Sequence, residues 1–131
     1  MIDFYFETIH NWIDEVTDIN HTVIVTNWEE ILNLQLKGIQ YPVAVLEIPD
    51  IMIKDQGGLF YEMEGAITIL KQAESDAVIK TLLNDTFLIA QLVIQEMFCN
   101  NEIHPSFLQP VIKATADDCY GWRFIFTLKK E

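Results

Sequence analysis

Apolar and polar positions alternate most regularly in two stretches of the chain. From Leu59 to Leu70, Leu59, Tyr61, Met63, Ile67 and Ile69 fall on one side, and Glu62, Glu64 and Thr68 on the other. A period of two with one polar face predicts a half-buried antiparallel strand. From Tyr120 to Lys129, Trp122, Phe124, Phe126 and Leu128 alternate with Arg123, Thr127 and Lys129, which predicts a closing strand. Between these stretches lies a helical run from Ser75 to Phe98. Its second half, Phe87 to Phe98, is apolar around most of its circumference, whereas a surface helix shows one stripe. This helix is therefore expected to lie across a sheet or to be covered from a second side.

The remaining elements follow in chain order. Ile2, Tyr5, Phe6, Ile9, Trp12, Ile13 and Val16 recur at steps of three and four and predict a helix over 2–16, with acidic residues near its start suiting the helix dipole. Thr22 to Thr26 is β-branched throughout and reads as a short strand. Asn27 and Glu30 have capping-box spacing ahead of Ile31, Leu32, Leu34 and Leu36, with Gly38 as a stop. A short helix is the preferred reading there, although Leu32, Leu34 and Leu36 also alternate as a strand would. Tyr41 to Ile48 reads as a strand with Pro42 at its start, where a missing N–H does no harm. Pro49-Asp50 interrupts it, Ile51-Met52-Ile53 resumes it, and Lys54 to Gly58 supplies a turn.

Residues 42–70 thus predict one long hairpin, kinked at Pro49, whose tip projects from the body. Ser75 or Asp76 is expected to cap the long helix, Asn84-Asp85 to kink or divide it, and Asn100-Asn101-Glu102 to end it. Leu108 to Thr115 is expected to be a strand, and Ala116 to Cys119 a turn. The order α-β-α-β-β-α-β-β predicts an α+β fold: a single domain over 1–131, with an antiparallel sheet of about four strands and helices packed on it.

Composition narrows the function classes. Eight basic against 20 acidic residues give a formal charge of −12, which disfavours a grip on nucleic acid or on an anionic membrane surface. It suits solubility, a basic partner, or a surface that must not stick to DNA. Cys99 and Cys119 form no CxxC and no disulfide framework, so a reduced intracellular setting is expected. The first residues lack a basic region and cleavage site of a signal peptide. The longest apolar run, Phe87 to Ala90, is broken by Gln91, so no bilayer span is expected.

Candidate chemistry is thin. Glu7, His10 and Asp14 share a helical face that could present metal ligands, but a solvated face with a helical ion pair explains them better. Glu62 and Glu64 form a same-face carboxylate pair, and Asp117-Asp118 a turn pair. Both read as wet acidic surface rather than as acid–base machinery. Cys99 with His104, or Cys119, could be arranged as a nucleophile, but Cys99 closes an apolar helix and a buried structural thiol explains it better. Gly57-Gly58 lacks the lysine and hydroxyl ending of a phosphate loop, and Ser75 and Ser106 sit in no nucleophile-elbow pattern. No catalytic residue and no cofactor is expected. Ile51, Met52, Ile53 and Leu59 on the hairpin are instead the expected interface, because exposed apolar surface of this kind usually meets a partner.

The acidic first helix, Tyr41-Pro42-Val43-Ala44-Val45-Leu46-Glu47, the Gly-turned hairpin ending Gly65-Ala66-Ile67-Thr68-Ile69-Leu70, the following helix and the closing Trp122-Arg123-Phe124-Ile125-Phe126 appear in that order. This order resembles the tail-terminator or tail-completion (neck) proteins of tailed phages and prophages. The resemblance implies a non-enzymatic virion protein that assembles into a homo-oligomeric ring, a hexamer being the size suggested. Other tail or neck proteins would be its neighbours, it would be cytoplasmic during assembly, and DNA would pass through without being gripped. Glu62, Glu64, Asp117 and Asp118 would then contribute to an acidic surface or lumen. The alternative is a small acidic immunity or inhibitor-type protein that covers a basic partner. A small enzyme is a third reading, which would need Glu62 and Glu64 to line a concave pocket.

Overall fold

The computed structural model describes residues 1–32, 38–74, 78–114 and 118–130. The elements run α1 (Ile2–Asp14), β1 (His21–Val25), α2 (Trp28–Leu32), β2 (Val43–Glu47), β3 (Asp50–Asp55), β4 (Leu59–Gln72), α3 (Ile79–Asn101), β5 (Leu108–Ala114) and β6 (Cys119–Lys130). The fold is α+β: three helices and one six-stranded, mostly antiparallel sheet among the described residues. The expected count of about four strands is too low for two reasons. The β-branched segment 21–25 joins the same sheet as its edge, parallel to β2 (His21↔Val43 through Val25↔Glu47). A parallel neighbour needs a crossover, and the segment carrying α2 supplies it. In addition, the expected hairpin arm divides into β2 and β3, both paired with β4. The strand path is β1-β2-β4-β6-β5, with β3 beside β4.

The alternation in β4 and β6 orients the sheet. Met63, Ile67 and Ile69 of β4 and Phe124, Phe126 and Leu128 of β6 face α1 and α3, where they bury Tyr5, Ile9, Trp12, Val93 and Met97. Phe126 stacks with Tyr5, ring centroids 6.1 Å apart, and meets Trp12 edge-on at 5.3 Å. Trp12 Nε1 donates to Asn101 Oδ1 at 2.8 Å, tying the start of the chain to the end of α3. The opposite face is partly covered: Ile31 and Trp28 of α2 pack with Val25, Val43, Val45, Leu70 and Val111. The predicted cap before α2 is present, with the Glu30 N–H donating to Asn27 Oδ1 at 3.2 Å and the Thr26 N–H to Glu30 Oε2 at 2.6 Å.

Several boundaries depart from expectation. α1 stops at Asp14, with Glu15 as its C-cap, rather than at residue 16. α3 runs unbroken through Asn84-Asp85, because Asp85 points out to an ion pair with Lys71 (3.3 Å) instead of competing for the helix backbone. Glu102, at φ 56°, closes α3 through its N–H to the Phe98 carbonyl. By length and composition alone α3 is apolar enough to cross a bilayer, which the break at Gln91 concealed; its stripe Leu82, Ile89, Ala90, Val93 and Met97 is buried, while 33% of its apolar window as a whole is buried. Cys119 is buried, but Cys99 is exposed, correcting the expectation of a buried thiol there. The expected extension of α2 through Leu34 and Leu36, the Ser75 or Asp76 cap, and the strand end and turn over 115–117 lie outside the described residues.

The hairpin over 42–70 is present, but its projection is shorter than expected. β6 runs along β4 as far as Tyr61↔Lys130, so only residues 54–60 reach past it. Ile51, Met52 and Ile53 therefore lie on an edge of the sheet, not on a free arm.

Candidate assembly edge

The kink at Pro49 creates the site. Leu46 pairs with Ile67 and Asp50 with Glu64, so three residues, 47–49, oppose two, 65–66. The extra residue makes a bulge that breaks the ladder and re-aims the strand. Tyr5 reaches into this break from α1, and its hydroxyl donates to the freed Glu47 carbonyl at 3.1 Å. Gly65 makes room for it, since a Cβ there would collide with the Tyr5 hydroxyl. Burial first, and then the Glu47 carboxylate, hold the Tyr5 hydroxyl well above the usual tyrosine range, so it stays protonated.

On the other face, the Glu47 side chain receives both Nε (2.9 Å) and Nη2 (3.1 Å) of Arg123, while Trp28 lies 5.0 Å beneath the guanidinium. The pair is nearly enclosed, with side-chain exposures of 16% for Arg123 and 9% for Glu47. A bidentate fork over an aromatic face is an arrangement a lysine cannot reproduce. A small cleft of about 120 Å³ opens beside this pair, bordered by Asn27, Asp50, Glu64 and Ile125.

Past the bulge, β3 begins, and among the described residues β4 is its sole strand partner, so its other edge presents N–H and C=O groups that no described strand pairs. The four expected interface residues are all exposed here: Ile51 at 40%, Met52 at 38%, Ile53 at 68% and Leu59 at 60%. The far edge of the sheet is treated differently. Strand β5 carries Pro110 and a register break between Val111 and Ala114, with Lys113 at φ 55°. Proline, bulge and lysine are the usual means of blunting an edge against pairing. Strand β3 has Lys54 but no proline or bulge within its six residues.

The expected acidic residues are not gathered in one place. Glu62 and Glu64 lie on the β4 face opposite α1, and Glu62 reaches Lys129 at 3.8 Å. Glu64 borders the cleft beside Glu47–Arg123. Asp118 sits at the opposite end of the sheet, where its carbonyl accepts the Ala73 N–H at 3.0 Å, and Asp117 lies outside the described residues. Among the described residues no group of three or more His, Cys, Asp or Glu side chains is placed to hold a metal ion.

The bulge residues Tyr5, Glu47, Gly65 and Arg123 escaped the reading of the sequence as a site. The available signals were the lone arginine of the chain, set among alternating aromatics, and a glutamate ending a run of four apolar residues. Comparison with models of known protein families and with curated protein sequences gives no match for this chain.

Proposed function

We propose that the protein is a non-enzymatic assembly subunit, a virion component of tail-terminator or neck type from a phage or prophage, which forms a homo-oligomeric ring. The observation that carries self-assembly is the β3 edge: unpaired among the described residues, exposing Ile51, Met52 and Ile53, and without the proline and register break that β5 has, while the ring itself is what the family resemblance implies. An edge of this kind is completed by a strand from another chain, which adds main-chain hydrogen bonds and buries the apolar side chains. The net charge of −12 and the exposed carboxylates of Asp50 and Glu64 support a ring whose surface repels passing DNA. Neighbouring tail or neck proteins would stack on such a ring.

Light scattering coupled to size exclusion, with negative-stain imaging of the peak, tests the proposal. A mass several times that of the 15.2 kDa chain and annular particles are expected. A strictly monomeric protein at high concentration overturns it. Co-purification of a monomer with a basic partner would favour the immunity-type alternative instead.

A further inference from the structure

Resting on the reading of β3 as an assembly edge, we infer that its occupant is β3 of a second copy, paired antiparallel about a two-fold axis at Met52. The segment reads Asp50-Ile51-Met52-Ile53-Lys54-Asp55, and it is self-complementary in this register. Asp50 stands opposite Lys54 of the second copy, and Lys54 opposite Asp50. Ile51 stands opposite Ile53, and Met52 opposite itself. Directly opposed residues share a face of the sheet, and side chains alternate along a strand. One face of the joint therefore carries a Met52–Met52 contact flanked by two Asp–Lys pairs, and the other a cluster of four isoleucines. The neighbouring registers are poorer. A two-fold axis requires the residue on it to face its own copy, so the neighbouring choices are Ile53, which sets Ile51 against Asp55 and Met52 against Lys54, and Ile51, which sets Asp50 against Met52; both lose the opposite-charge pairs.

The charges matter because two copies of a chain at −12 repel one another. Lys54 is the one basic residue of β3, and this register places it against a carboxylate twice. Lys54 and Asp50 take part in no ion pair within their own chain among the described residues. An isologous contact closes at two, so it pairs subunits or joins two rings face to face, and leaves ring closure to another surface.

Charge reversal tests the register. Asp50→Lys sets lysine against lysine, and Lys54→Asp sets aspartate against aspartate, so each variant alone should weaken self-association by roughly tenfold or more. An equimolar mixture restores both opposite-charge pairs and should recover the wild-type association constant in sedimentation velocity. Cysteine pairing gives a second readout in a Cys99→Ser background. Met52→Cys should cross-link to itself on mild oxidation, because facing Cβ atoms at a strand pair lie within disulfide reach. Ile51→Cys should cross-link with Ile53→Cys and poorly with itself. Variants that keep the wild-type mass singly, or a mixture no stronger than its components, overturn the two-fold pairing while leaving assembly through another surface standing. A wild-type chain that is monomeric throughout overturns both.

Discussion

Replacing Arg123 by methionine removes the partner of a carboxylate that is 9% exposed and has no other hydrogen-bonding side chain at its two oxygens among the described residues. Breaking a buried ion pair from one side costs about 3–5 kcal/mol, because the remaining charge keeps its desolvation penalty without compensation. Residual exposure of 16% for Arg123 lets some water reach the site, which argues for the lower end, about 3 kcal/mol. Loss of the guanidinium over Trp28 adds to this through the lost cation–π contact. For a chain of this size the loss corresponds to a fall in Tm of roughly 10 °C. Urea denaturation followed by tryptophan fluorescence reads it, at one fixed protein concentration, since self-association would otherwise move the midpoint. Glu47→Leu should cost a similar amount. The double variant Glu47→Leu/Arg123→Met should recover most of the loss, since two apolar side chains of similar volume replace the pair without leaving a buried charge. Arg123→Lys should fall between wild type and Arg123→Met. A loss below about 1 kcal/mol for Arg123→Met, or a double variant as unstable as the sum of its singles, would refute the reasoning and make the pair a surface ion pair in effect.

Three further outcomes are expected from the same region. Tyr5→Phe leaves the Glu47 carbonyl at the bulge without its donor and should destabilise by about 1–3 kcal/mol in the same assay, whereas Tyr5→Trp should fail to fit against Gly65. Because the Tyr5 proton is held above the ordinary tyrosine value near 10, its stabilisation is complete below about pH 10; above that pH the unfolded chain releases the proton more readily and stability falls. Tyr5→Phe should therefore reduce the slope of stability against pH above about pH 10 by up to about 1.4 kcal/mol per pH unit, measured by urea titration across the alkaline range. Thr68 Oγ1 is buried and has no hydrogen-bond partner among the described residues, so Thr68→Val should be neutral to stabilising, by up to about 1 kcal/mol in thermal melts.

The strands were legible where one face met the core. Met63, Ile67 and Ile69 on β4 and Phe124, Phe126 and Leu128 on β6 announce their orientation by period alone, and all face the helices. Local chemistry also exposed the Asn27–Glu30 cap and the turn at Gly57 and Gly58, whose φ values of 71° and 137° suit glycine. What stayed hidden needs two distant segments at once. The parallel pairing of Thr22 with Ala44 depends on where the 26–42 crossover returns the chain. The bulge appears only when 47–49 are counted against 65–66. Arg123 looked like a solvent-side residue of an amphipathic strand, and only the packing of Trp28 and Glu47 from two other elements shows it nearly enclosed. Cys99 was misjudged because the apolar run before it hides which flank of α3 faces the sheet; Leu88, Leu92 and Phe98 are exposed on that helix too. The exposure of Ile51, Met52, Ile53 and Leu59 was legible from their place on the hairpin arms between the Pro49-Asp50 break and the Gly57-Gly58 turn.

Amide hydrogen exchange of residues 50–55, followed as protein concentration rises, addresses the β3 edge most directly. The amides that point away from β4 should become protected in step with the rise in mass, and lose that protection in Asp50→Lys. Exchange that remains fast at these amides while the protein assembles would show that subunits meet elsewhere.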